Sequence, residues 1–126
     1  MKRVIDTSAW IEYLLASDTG RKIAPNMPDR EDTIVPTIVQ MELYKWLARE
    51  KSVEIAALTL NDANRSIVVP LTSQLAVRAA IASAEHRLSA ADAIIYATAR
   101  EHDAELLTCD VHFNGLPGVL YFSKSL

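Results

Sequence analysis

The chain has 126 residues, enough for one domain and one core, and half of them are apolar with 23% charged, an ordinary globular balance. No apolar run approaches the roughly 18–20 residues needed to span a bilayer, so no membrane span is expected within it. A formal net charge of −3 and a pI near 5.5 argue against broad electrostatic binding to nucleic acid, though not against a nucleic-acid substrate held at a local metal site.

The opening stretch, MKRVIDTSAWIEYLL, reads as mature protein, because Asp6 and Glu12 interrupt what would be a signal-peptide core. Its KRVI (2–5) is a short β-branched strand leading into Asp6-Thr7-Ser8, and a helical pattern follows through Trp10, Ile11, Leu14 and Leu15. Residues 17–32 are polar, with two prolines and a glycine, and predict a loop or a loosely helical excursion. Thr33 to Pro36 is a second strand, after which Thr37 is expected to cap a helix carrying Val39, Leu43, Trp46 and Leu47 on one face. Val53 to Leu60 suggests another helix, Ile67 to Pro70 a third strand and Leu75 to His86 a further helix. Ser89 opens a helix that runs to about His102; Glu105 to Thr108 is a fourth strand and Val119 to Phe122 a possible fifth. With no repeat and no linker, residues 1–126 read as a single domain. The lone cysteine, Cys109, allows no internal disulfide and makes a cytoplasmic location the expectation.

Strands that are apolar throughout and alternate with helices predict an α/β fold: a parallel sheet of four to five strands with helices on both faces. Ligands of such sheets bind beyond the carboxyl ends of the strands. Four acids belong at that edge. Asp6 follows the first strand, Glu42 lies in the second turn of the helix after the second, Asp92 sits in the first turn of the Ser89 helix, and Asp110 follows the fourth strand after Cys109. Each has a plain structural reading beside the functional one. Asp6 can start an Asx turn or cap a helix, Glu42 can pair with Lys45, and Asp110 can hold a turn. Asp92 can complete a capping box with Ser89. Together, however, four carboxylates within a few ångströms cannot all ionise unaided, and a divalent cation removes the conflict. Oxygen ligands select Mg²⁺ or Mn²⁺, and through the ion a phosphate; no Cys/His pair at zinc spacing competes.

VIDTSAWIEYL (4–14), PTIVQMEL (36–43), LSAADAIIYATA (88–99) and LLTCDVHFNGLPGV (106–119) together resemble the PIN-domain ribonucleases, specifically the VapC-type toxins of bacterial and archaeal toxin–antitoxin pairs. The resemblance implies a PIN-like three-layer sandwich and Mg²⁺-dependent (or Mn²⁺-dependent) cleavage of an RNA substrate. It also implies a homodimer held inactive by a cognate VapB-type antitoxin. Asp6, Glu42, Asp92 and Asp110 match the family's acidic quartet. By that analogy Asp6 and Asp92 are direct metal ligands, Glu42 and Asp110 act partly through metal-bound water, and Ser8 matches a small polar position within the site. One departure stands out: where the family often carries a second aspartate two residues after Asp110, this chain has His112, which can ligate a metal, contact a phosphate or do neither.

The expected chemistry is in-line attack of activated water on an RNA phosphodiester, leaving 5′-phosphate and 3′-hydroxyl ends. The alternative is a catalytically weak or inactive PIN-fold protein that binds RNA or a partner. Other chemistries fit worse, since Ser8 stands where a haloacid-dehalogenase-type enzyme needs a second acid, and the G-x-S-x-G elbow that a Ser/His/Asp hydrolase needs is not present. Lys45, Arg49 and Lys51 read as a solvated helix face or a contact to RNA backbone, and Arg87 as surface or crevice. Cys109, Trp10 and Trp46 read as packing residues, the tryptophans also as dimer contacts. The 17–32 region and the helices around Trp10 and Trp46 are the expected antitoxin surface.

Overall fold

A computed structural model describes residues 1–124. Five strands, β1 (Arg3–Ile5), β2 (Thr33–Pro36), β3 (Ile67–Val69), β4 (Glu105–Thr108) and β5 (Val119–Tyr121), form one sheet in the order β3-β2-β1-β4-β5. Every pairing is parallel, as expected from apolar strands separated by helices. Among the described residues six helices connect and cover them: α1 (Thr7–Leu15), α2 (Asp18–Ile23), α3 (Thr37–Glu50), α4 (Val53–Ala63), α5 (Ser73–His86) and α6 (Ala90–Glu101).

The period-two alternation of a strand divides the core into layers. Val4, Ile34 and Leu106 point to one side, where they pack with Ala79 of α5 and Ile95 and Ala99 of α6. Their chain neighbours Ile5 and Leu107 point to the other side, against Ala9 of α1 and Ile23 of α2. A third cluster, Leu43, Leu47 and Ala56, joins α3 to α4, and Trp10 touches all three clusters. The result is the three-layer sandwich the pattern called for. Among the described residues no helix is long and apolar enough to cross a membrane.

Some boundaries differ for local reasons. The 17–32 stretch contains a real helix, α2, because the Ser17 hydroxyl accepts the Gly20 N–H at 3.0 Å and starts it despite the polar composition. Single 3₁₀ turns at Ala24–Asn26 and Arg30–Asp32 complete the excursion. Thr37 is not a cap: Pro36 takes that position without a side-chain bond, and Thr37 is the first helical residue. Ser52 and Thr72 cap α4 and α5 through Ile55 N–H and Leu75 N–H, both at 3.1 Å, so the helices start at Val53 and Ser73; α4 runs on to Ala63. The strands at the sheet edges stop at Val69 and Tyr121, one residue short of expectation.

Candidate active site

The carboxyl edge is built outward from Asp6. Its backbone N–H donates to the Leu107 carbonyl at 2.9 Å, extending the β1–β4 ladder by one residue and fixing where the side chain emerges. Its own carbonyl receives the Ala9 and Trp10 N–H groups, both at 3.0 Å, so Asp6 is the N-cap of α1 through its main chain, and its carboxylate makes no capping bond. That carboxylate is 4% exposed. Ser8 Oγ donates to Oδ2 at 2.7 Å and Thr108 Oγ1 donates to the same oxygen at 2.8 Å. A hydroxyl has one proton, and both are spent on Asp6. The hydroxyls in turn accept the Cys109 N–H at 3.1 Å and the Asp110 N–H at 2.9 Å, which ties the strand end of β4 to the same carboxylate.

Asp110 caps the 3₁₀ turn Val111–Phe113, its Oδ1 accepting the His112 N–H at 2.9 Å, and Phe113 is fully buried beneath that turn. Asp92 stands in the first turn of α6, whose N-cap Ser89 accepts the Asp92 N–H at 3.3 Å. The capping and site positions of Asp92 therefore coexist: its backbone closes the helix end while its side chain faces the crevice. Glu42 on α3 makes no ion pair with Lys45; its Oε1 accepts the Thr7 hydroxyl at 2.7 Å from the first turn of α1. His112 Nδ1 lies 3.2 Å from Asp110 Oδ1 and 3.6 Å from Asp92 Oδ2.

The four acids share one field. Burial pushes the Asp6 carboxyl above its ordinary value; the Ser8 and Thr108 hydroxyls oppose this, and the charges of Asp92 and Asp110 add to it. Asp92 is raised as well, first by burial and then by Asp110, with Ser89 and His112 pulling down and Glu42 pushing up. The structure thus brings Asp6, Glu42, Asp92 and Asp110 to one edge, with Ser8 against Asp6 and His112 against Asp92 and Asp110. Glu101 and Glu105 are engaged elsewhere, by Arg78 and Arg3. An open cleft of about 480 Å³ adjoins Ser8 and Asp110, lined also by Val111, Tyr121 and Lys124.

Two participants escaped sequence reasoning, Thr108 and Thr7. Neither has a motif; each is found only once the β1–β4 register and the approach of α1 to α3 are known. Cys109 is 4% exposed and its thiol is pushed up to about 11, chiefly by burial, so it packs and stays protonated at neutral pH.

The donor set suits a hard divalent cation. Asp92, Asp110 and His112 each offer one ligand atom within a 4.8 Å span, and both hydroxyls of the Asp6 shell address Oδ2, so neither takes Oδ1. Carboxylate oxygens match Mg²⁺ or Mn²⁺, and clustered acids with raised proton affinity are the arrangement such an ion relieves.

A PIN domain family model matches residues 3–119. Among solved structures, a toxin–antitoxin complex from Klebsiella pneumoniae superposes with a TM-score of 0.81 at 23% identity, covering 94% of this chain and 96% of that one. DNA-bound VapBC from Salmonella typhimurium gives 0.73 at 19% identity, with 98% of each chain covered. VapC20 from Mycobacterium tuberculosis, described as a Sarcin-Ricin loop cleaving toxin, gives 0.71 at 19% identity over 94% of this chain and 97% of that one. No curated protein matches the chain in sequence.

Proposed function

The chain belongs to the PIN-domain family, and on that premise we propose that it is a Mg²⁺- or Mn²⁺-dependent endoribonuclease, the toxin of a toxin–antitoxin pair. One observation carries the reading: a buried aspartate, Asp6, in the electrostatic reach of Asp92 and Asp110 at the carboxyl edge of a parallel sheet, with Asp92 in turn coupled to Glu42.

Asp6 and Asp92 are the direct ligands in this reading. Ser8 and Thr108 hold the Asp6 carboxylate in one orientation, the outer support that metal ligands need. Glu42 and Asp110 orient water and accept its protons; Thr7 fixes Glu42, and the Thr108 hydroxyl bound to the Asp110 N–H fixes the start of the next turn. When bound, the ion supplies Lewis-acid polarisation of the phosphate and lowers the pKa of water. The cleft beside Ser8 and Asp110 gives a phosphodiester room to approach, and Lys124 at its wall offers a cation for a neighbouring phosphate. Attack by water needs no 2′-hydroxyl nucleophile, so the products carry 5′-phosphate and 3′-hydroxyl ends.

The partner reading rests on similarity to toxin–antitoxin complexes and on a second cavity. A groove of about 300 Å³ between α1, α3 and α4 is lined by Trp10, Tyr13, Leu14, Val39, Leu43 and Leu60 among others. The Trp10 Nε1–H is buried with no acceptor among the described residues. An apolar antitoxin segment laid in this groove would cover Leu14, which is 41% exposed. A homodimer in the cytoplasm completes the proposal.

The test is direct. Purified protein with total RNA and Mg²⁺ or Mn²⁺ should cut it, and Asp6→Asn and Asp92→Asn should each lower the rate by more than about 100-fold, beyond the loss typical of outer supports. Cleavage by either variant at the parental rate would overturn the mechanism.

A further inference from the structure

At His112 the sequence departs from the acidic pattern of the PIN resemblance, and the geometry there is specific. The turn that carries it is pinned from below by fully buried Phe113 and closed by Asp110, whose Oδ1 takes the His112 N–H at 2.9 Å. The imidazole is 72% exposed, and its Nδ1 edge lies 3.2 Å from Asp110 Oδ1 and 3.6 Å from Asp92 Oδ2. An ion about 2.0–2.2 Å from each ligand keeps adjacent ligand atoms roughly 3 Å apart and opposite ones a little over 4 Å apart. One ligand atom from each of Asp92, Asp110 and His112 lies within 4.8 Å of the other two, so small rotations of the exposed ring and of Asp92 bring all three to one ion.

We infer that His112 Nδ1 is a further metal ligand beside Asp6 and Asp92, and that Asp110 on the same turn reaches the ion directly as well as through water. The centre is then a mixed nitrogen–oxygen site that favours Mn²⁺ and later first-row ions over Mg²⁺. The reason is ligand chemistry: Mg²⁺ takes oxygen donors, whereas imidazole nitrogen strengthens binding along the transition series. The inference rests on the metal-site reading above and adds its ligand set and selectivity.

Pulsed electron paramagnetic resonance of the full chain loaded with Mn²⁺ alone reads the bond directly, as ¹⁴N coupling from a coordinated imidazole. The parent should show that coupling. His112→Ala should abolish it and weaken Mn²⁺ binding by about 10-fold or more, while leaving Mg²⁺ binding much less changed. His112→Asp should lose the nitrogen signal and lower the Mn²⁺/Mg²⁺ selectivity ratio. His102→Ala should keep both. Mn²⁺ bound by the parent without ¹⁴N coupling would overturn the His112 assignment and leave the acidic site standing. No Mn²⁺ binding at all would overturn the nuclease reading as well.

Discussion

At the residue scale, Asp6 concentrates the physics of the site. A carboxylate 4% exposed, with two like charges nearby, holds its proton more tightly in the folded chain than at its ordinary value of 3.8, although two hydroxyl donors on one oxygen pull the other way. The folded state therefore binds more protons than the unfolded one between that value and the raised one, and the derivative of stability with pH is negative there. The carboxyl favours the fold in acid, and that contribution is lost as pH rises through the folded pKa. In EDTA, Asp6→Asn should melt at a higher temperature than the parent at about pH 8, with the difference shrinking toward about pH 4. Saturating Mn²⁺ should reverse the ranking, because only the parent gains the binding free energy. A variant less stable than the parent in EDTA at about pH 8 would show that burial of this charge is better compensated than its surroundings suggest.

At the scale of elements, the two helices after β1 show how one residue decides a packing. A Cβ at Gly20 would fall on the backbone carbonyl of Glu12, so α2 crosses α1 at a distance only glycine allows. Gly20→Ala should cost about 1–3 kcal/mol in denaturant unfolding, the range for overpacking; a neutral result would mean that the α1–α2 pair shifts freely. Capping works at the same scale. Ser89 both starts α6 and points the first-turn Asp92 at the crevice, and Ser89→Ala should cost about 1 kcal/mol. Most element positions were legible in the sequence because propensity and caps are local. The α2 helix was legible only as one of two options, a loop or a loosely helical excursion, since its cap lies in a polar, proline-containing stretch and its apolar face is completed by Ile5 and Leu107 of the sheet.

For the whole molecule, net charge sets how RNA is held. With 16 acids against 13 lysines and arginines, the surface cannot neutralise many phosphates at once. RNA affinity should fall only gently with salt, with a log–log slope of about −2 or shallower, and should collapse in EDTA because the ion supplies the missing positive charge. A steep slope of about −6 that persists in EDTA would instead mark a protein that grips RNA without cutting it. The groove against α1 is independent of that chemistry. Leu14 and Trp10 line it, while the acids belong to the carboxyl edge, so partner binding and cleavage should separate under mutation of Leu14.

The amino-acid order alone determined the alternation of strands and helices, the parallel sheet, and the placing of four acids one or two positions beyond strand ends or within the first two turns of helices. These are properties of period and chain proximity, which a linear sequence carries in full. Tertiary structure decided the rest. Thr108 meets Asp6 only because the β1–β4 register pairs Ile5 with Leu107, and Thr7 reaches Glu42 only because α1 packs on α3. His112 turns toward two acids because a buried phenylalanine one residue on anchors its turn. Contacts between segments far apart in the chain depend on register and rotamer, and those are set when the core closes.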